Sequence, residues 1–277
     1  MSSSPLARAL ALSCHPIPSV AVTALTAGLA ALANLPLDRG VMVTAAVFTG
    51  QLSIGWSNDY LDAERDRAVR RSDKPVASGA VTPRVVGIAA AVALFGTVTL
   101  SAALGWPGGA AVLVTTACGW LYNLGLKGTV LSWLPYAIAF GMLPAVATLS
   151  ASPARWPAAW ALTAGALLGV AAHLANVLPD LREDDATGVR GLPHRLGAKA
   201  TALAGAGILL AASAVILFGP RGQPGWWRWG GFMAALLVAG AAAASAYRDP
   251  SSQRFFRATI LIAAMDLAFF ALSGASL

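Results

Sequence analysis

Apolar residues occupy this chain in long blocks. Near residues 18–37, 41–57, 84–105, 107–125, 130–150, 156–178, 199–219, 227–247 and 257–275 the sequence is apolar over a length that crosses about 30 Å of hydrocarbon as a helix. The blocks predict an all-α integral membrane bundle of nine transmembrane helices, forming a single membrane domain over residues 1–277. Several blocks are built from alanine and glycine, as at 202–207 and 239–244, where small side chains let helix backbones approach closely in lipid. Ahead of the first block, Met1 to Pro18 carries one basic residue, Arg8, and its short apolar run is interrupted by Cys14-His15-Pro16-Ile17-Pro18. That stretch reads as a retained cytoplasmic lead-in rather than a secretory signal.

Polar positions interrupt the pattern in two places that resemble each other. Asn58, Asp62 and Asp66 form N-x3-D-x3-D, and Asn176, Asp180 and Asp184 repeat it 118 residues later. Helical periodicity would put Asp59, Asp62 and Asp66 on one face. Carboxylates crowded in this way repel unless a cation lies among them, and hard oxygens with no nearby thiol favour Mg2+ over zinc. The competing reading is a pair of solvated acidic loops at helix ends. A chance repeat of three polar positions in so apolar a chain argues against it.

Composition sharpens this. The chain is 57% hydrophobic and 11% charged, against about 25% charged in ordinary soluble domains, so the placement of each charge carries information. Nine of the twelve acids lie between Asp59 and Asp73 or between Asp180 and Asp185. The net charge of +7 does not point to nucleic acid, because the bases sit in loops between apolar blocks. Cys14 and Cys118 are the only cysteines, with no metal or redox spacing. The N-terminus and the loops after the second, fourth, sixth and eighth blocks hold 15 of the 19 lysines and arginines, while the opposite side has Arg39, Arg155, Arg221 and Arg228. The first side is therefore expected to face the cytoplasm. Both acidic motifs end blocks on that side, so one site at the cytoplasmic mouth can draw on both, and the repeat implies two related halves joined near the fifth block. With metal ions between the clusters, a diphosphate is the natural guest. Arg65, Arg67, Arg70, Arg71 and Lys74 follow the first motif, and Arg182, Arg190 and Arg195 lie within or after the second. Arg70, Arg71 and Lys199 read equally well as membrane anchors.

At these residues the sequence resembles the UbiA-type membrane prenyltransferases. The resemblance lies in Asn58-Asp59-x-x-Asp62-x-x-x-Asp66, in Arg71 to Gly79, in Tyr122-Asn123-Leu124-Gly125-Leu126-Lys127, and in Asp180-x-x-x-Asp184 followed by Gly188 to Gly197. It implies a nine-helix bundle around a lipid-open cavity, in which Mg2+ bridges aspartates to an isoprenyl diphosphate. Carried across, Asn58, Asp59, Asp62 and Asp66 would bind a first Mg2+, and Asp180 and Asp184 a second. Lys74, Lys127 and Arg190 would neutralise diphosphate, with Tyr122 near its oxygens and Arg67, Asn176 and Arg182 beside the substrate. The second motif departs from the family pattern, since Val177 follows Asn176 and Pro179 precedes Asp180, which suggests fewer ligands there.

The reaction implied is loss of diphosphate from an allylic substrate, followed by capture of the carbocation by an aromatic or other lipophilic acceptor. A terpene cyclase, in which the substrate's own double bonds capture the cation, is the alternative. A transporter is a distant third, because transporter sites lie at the midplane on broken helices whereas both motifs here fall at helix ends. Trp56, Trp120, Trp133, Tyr136 and Phe140 are candidate walls for the cation, and Trp226, Trp227 and Trp229 read as interface anchors. His173, one turn before Asn176, is either a site residue or an interhelical hydrogen-bond partner. His15 reads as a loop residue. Asp266, within the last block, reads as protonated and bonded to a neighbouring helix.

Overall fold

A computed structural model describes residues 5–272. It is helical, with no strand among the described residues: α1 (Pro5–Ser13), α2 (Pro16–Leu32), α3 (Leu37–Leu61), α4 (Ala63–Ala68), α5 (Pro83–Leu104), α6 (Trp106–Leu124), α7 (Leu134–Leu149), α8 (Ala159–Val177), α9 (Leu181–Ala186), α10 (Leu192–Leu196), α11 (Ala198–Phe218), α12 (Trp226–Arg248) and α13 (Arg254–Leu272). The apolar blocks coincide in order with α2, α3, α5, α6, α7, α8, α11, α12 and α13, although the last block runs beyond the described residues.

Length and hydropathy alone qualify five helical segments to cross a membrane: α5, α8 continued to Ala186, α11, α12 and α13. A sixth arises if α1 and α2, bent by 65°, count together. The nine crossings expected from the sequence are therefore not all carried by these criteria. The physical reasons are local: the uncharged middle of α3 carries Thr44, Thr49, Gln51, Ser53 and Ser57, α6 opens on Trp-Pro-Gly-Gly, and α7 has only 16 residues. The chain is an integral membrane protein.

The core divides along the chain. Val22, Leu29, Val43, Val47, Leu104, Val112, Leu143 and Val146 join α2, α3, α5, α6 and α7, whereas Leu168, Leu178, Leu209, Ala235, Phe255 and Ile262 join the region from α8 to α13. The two clusters meet at the α7–α8 seam. There a side chain on Gly169 would strike the Tyr136 carbonyl, and one on Gly165 would lie 2.5 Å from the Phe140 carbonyl. These glycines are what lets two backbones lie in contact without a hydrophobic drive.

Both acidic motifs are built alike. A long helix ends, one turn departs from regular α-helix, and a short helix follows. Asp62 caps α3 at φ −89°, ψ −1°, yet Asp62 N–H still donates to Asn58 O (2.9 Å) and Asp66 N–H to Asp62 O (2.8 Å), so the helical register carries into α4. At the end of α8, Pro179 has no N–H to continue the ladder, and residues 178–180 wind as a 3₁₀ turn before α9. A small cluster of Ala9, Ala63, Val76, Val81 and Val86 ties α1 and the segment after α4 to the same end of the bundle.

Candidate functional site

At that end α3, α4, α8 and α9 enclose a cavity of about 300 Å³, lined by Asp59, Asp62, Asp66, Asp73, Asp180 and Asp184 and by Arg65, Arg71, Lys74 and Lys127. Six carboxylates against four fixed cations leave this lining two charges negative. The carboxylates are distributed among the cations. Lys127 Nζ donates to both Asp62 oxygens, at 2.6 Å to Oδ2, and Arg65 Nη2 donates to the same Oδ2 at 2.8 Å. Lys74 Nζ lies 3.0 Å from Asp66 Oδ2, 3.2 Å from Asp59 Oδ1 and 3.3 Å from Asn58 Oδ1. Arg71 Nη1 joins Glu183 (2.6 Å) and Asp180 (3.5 Å), while Nη2 holds Asp73 at 2.9 Å. Arg65 also reaches to 4.0 Å from Asp184. Arg65 and Arg71 thus connect the first motif to the second; the sequence offers Arg65 as a base for the diphosphate and Arg71 equally as an anchor, and neither as a bridge.

Burial and charge act in opposite directions on the two lysines. Burial alone would lower the Lys74 pKa, but Asp59 and Asp66 outweigh it and the pKa is raised. For Lys127 burial wins over the Asp62 carboxylate, and its pKa is lowered. The Arg71 pKa is raised, chiefly by its hydrogen bond to Asp73, so it is a permanent cation. Burial lowers the His194 pKa, which keeps that imidazole neutral 3.7 Å from Asp184.

A second cavity, of about 380 Å³ and mostly apolar, extends into the bundle between α2, α3, α6, α7, α8 and α13. The two cavities share His15, Pro18, Asn58, Tyr122, Asn176 and Phe256, which form the ring where they join. Asn58 is held in this ring because its Nδ2 donates to Asn123 Oδ1 (3.2 Å), and Asn123 in turn donates to Ile54 O (2.9 Å) and Ser57 Oγ (2.8 Å). Tyr122 stands edge-on to Tyr136 at 5.2 Å, and Tyr136 stacks on Phe140 at 6.2 Å.

The structure brings Asn58, Asp59, Asp62, Asp66, Lys74, Tyr122, Lys127, Asn176, Asp180 and Asp184 to this pair of cavities. It does not bring Arg67 and Arg182, which are exposed, or Arg190, which is 69% exposed with Nε on Asp185 Oδ1 at 2.8 Å. Asp59, Asp62 and Asp66 all line the charged cavity, with Lys74 between Asp59 and Asp66. Among the described residues no three His, Cys, Asp or Glu gather closely enough to hold an ion, because the carboxylates pair with cations or histidine: Asp59 and Asp66 share Lys74, Asp59 also meets His15, and Asp62 takes Lys127 and Arg65. Of the candidate walls, Tyr136 and Phe140 line the apolar cavity. Trp56 and Trp120 are instead tied by their indole N–H groups to Leu10 O (2.9 Å) and Ser53 Oγ (3.0 Å), and Trp133 lines neither cavity.

His15 is the principal residue sequence reasoning missed. It sits in the left-handed conformation (φ 53°) at the bend between α1 and α2, with Nε2 3.1 Å from Asp59 Oδ1. Its flanking prolines read as a loop, and nothing in the spacing announced a contact 44 residues away. His173 is fully buried; its Nε2 pairs with Ser132 Oγ at 3.0 Å, and that oxygen also accepts Leu192 N–H at 2.9 Å. Asp266 accepts from Ser213 Oγ on α11 at 2.8 Å, the interhelical partner expected of it.

A bundle of apolar helices with a charged cavity opening onto an apolar one is the architecture of an integral membrane prenyltransferase. Residues 19–271 match the UbiA prenyltransferase family, and the chain belongs to that family. It is 30% identical over 212 residues to digeranylgeranylglyceryl phosphate synthase of Methanopyrus kandleri, covering 70% of this chain and 72% of the relative. Its fold resembles the apo structure of a UbiA homologue from Aeropyrum pernix K1, with a TM-score of 0.73 at 18% identity over 92% of this chain and 98% of the other. It also resembles a UbiA homologue from Archaeoglobus fulgidus bound to GPP and Mg2+, with a TM-score of 0.67 at 15% identity over 95% and 98% of the two chains.

Proposed function

We propose that this prenyltransferase ionises an isoprenyl diphosphate with the help of Mg2+ and transfers the prenyl group to an aromatic or other lipophilic acceptor. The bundle would cross the membrane nine times as one domain, with its charged cavity on the cytoplasmic side. The observation that carries this reading is the meeting of an acidic and an apolar cavity at Asn58, Tyr122 and Asn176. An amphiphile with a charged head and a hydrocarbon tail fits that junction with its scissile C–O bond at the ring. The lining supports divalent cations: it is already two charges negative, and a diphosphate ester adds about three more, so anion binding there needs compensating positive charge. The aspartates and asparagines of the lining offer hard oxygens, and no cysteine lines it. Asn58, Asp59, Asp62 and Asp66 would hold one ion and Asp180 and Asp184 another. Bound Mg2+ supplies Lewis-acid stabilisation of the leaving diphosphate.

The chain's own residues do the rest. Lys74 and Lys127, now paired with carboxylates, are long and flexible enough to turn to phosphate oxygens. Arg65 and Arg71 hold the two motifs in one frame. As the C–O bond breaks, its electron pair leaves with diphosphate, and the allylic cation faces Tyr122, Tyr136 and Phe140, whose ring faces stabilise positive charge. The apolar chamber keeps water from the cation until the acceptor's nucleophilic atom forms the new bond and releases its proton. The name of the Methanopyrus relative supports a lipophilic acceptor, and the charge asymmetry supports the cytoplasmic placement.

The test is to incubate purified protein in detergent with Mg2+ and a series of prenyl diphosphates, with and without lipophilic acceptors. A prenylated acceptor is the expected product. Cyclic hydrocarbon or alcohol formed without acceptor would replace the transferase with the cyclase, and no release of diphosphate from any substrate would overturn the reading.

A further inference from the structure

The apolar chamber has a floor. Its lining on α3 and α6 stops at Gln51 and Thr115, each seven residues before Asn58 and Tyr122 of the ring. On α2 and α13 it goes deeper, to Leu25, ten residues beyond His15, and to Leu267, eleven beyond Phe256. At about 1.5 Å of rise per residue the chamber is therefore about 16 Å deep on its longest side. Beyond Leu25 the seam between α2 and α13 closes: a side chain on Gly28 would lie 2.5 Å from Leu267 Cδ2. Leu267 is folded onto the bare backbone of Gly28, across the direction in which a prenyl chain lying along α2 and α13 would extend.

We infer that the Gly28–Leu267 contact, with Leu25 beside it, is a chain-length stop that selects a prenyl diphosphate of about fifteen carbons. With C–C bonds of about 1.5 Å, an extended isoprene unit of four chain bonds spans about 5 Å, so about three units fill the depth to Leu267. A fourth unit meets the Leu267 side chain. Shorter chains leave the floor uncovered and forfeit the apolar burial of a whole unit. Gly28 has a definite part in this: because it lacks a side chain, Leu267 can fold down onto α2 instead of projecting into the chamber. The inference rests on the reading that the chamber holds a prenyl chain.

The test measures affinity rather than turnover, so no acceptor is needed. Geranyl, farnesyl and geranylgeranyl thiolodiphosphates, which resist ionisation, are titrated calorimetrically into the purified full-length protein in detergent with Mg2+. The wild type is expected to bind the farnesyl analogue at least about tenfold more tightly than the geranyl one, with no further gain for geranylgeranyl. Leu267→Ala, and independently Leu25→Ala, should move the optimum to geranylgeranyl. Gly28→Ala, which forces Leu267 up into the chamber, should move it to geranyl. Two variants on different helices predict the same direction, so misfolding of one leaves the other decisive. Wild-type affinity that keeps rising through geranylgeranyl, or a length preference that neither leucine variant shifts, would overturn the stop and mean that the chain leaves sideways. Binding of no analogue by folded wild type would overturn the prenyl reading itself, and the stop with it.

Discussion

Asp62 is the residue on which the charged cavity closes, since it takes Lys127 on both oxygens and Arg65 on one. Asp62→Ala should abolish turnover, and so should Asp180→Ala, while both variants remain folded and membrane-inserted. Neither opens a packed apolar core, and turnover within about tenfold of wild type at saturating Mg2+ would remove that residue from the site. The arginines give a sharper contrast. From sequence, Arg70 and Arg71 are adjacent and equivalent, two anchors in a basic loop. In the structure Arg70 is exposed whereas Arg71 holds Asp180 and Glu183 of the other motif. Arg71→Gln should therefore cost about 1–3 kcal/mol in kcat/KM, and Arg70→Gln almost nothing. Equal kinetics for the two would mean that the bridge between motifs is unimportant. The carboxylates were legible because acids are so rare in this chain that their repeat stands out. Their partners were not, because direction is a tertiary property: Arg65, Arg71 and Arg190 look alike as bases beside the acidic motifs, and only the folded path of those segments decides which of them turn inward.

The seams between helices depend on glycine in a way that makes them sensitive to one added methyl group. A Cβ added to Gly169 on α8 would strike the Tyr136 carbonyl and lie 2.8 Å from Phe140 Cβ. Gly169→Ala must spread α7 from α8, at about 1–3 kcal/mol for an overpacked contact. Because Tyr136 and Phe140 line the apolar cavity, the variant should lose activity along with stability. Gly207, which faces open space on α11, is the control: Gly207→Ala should leave the melting temperature in detergent unchanged or slightly raised. A Gly169→Ala protein as stable as Gly207→Ala would show that the seam can relax. At this scale the apolar blocks located every long helix, because a membrane demands continuous apolar length. They could not reveal α1 as a separate helix bent away at His15, or the helix boundaries after Leu61 and Val177, because a few dihedral angles make these and leave hydropathy unchanged.

For the molecule as a whole, the structure and the charge pattern make one joint statement about sidedness. The start of α2, the ends of α3, α6 and α8, and the start of α13 all line the charged cavity, so both motifs lie at one end of the bundle. That end carries most of the lysines and arginines, whereas Trp226, Trp227 and Trp229 stand exposed at the start of α12, at the other end. With positive loops retained in the cytoplasm, a cysteine introduced between residues 75 and 80, or at Thr187 near the second motif, should react with a membrane-impermeant maleimide only when the cytoplasmic face is open. One introduced at Gly222 should react from outside in intact cells. Cys14 and Cys118 are buried, so their background should be low, and replacing both with serine removes it. The number of crossings is tested by the same series, since any odd number of crossings between Gln253 and Thr187, or between Thr187 and Gly79, would place labels from those loops on opposite sides. If Gly79, Thr187 and Gln253 label from one side and Gly222 from the other, α5 through α12 cross with the parity that nine spans require. Labelling of Thr187 from outside would separate the two acidic motifs across the membrane, which no shared diphosphate site survives.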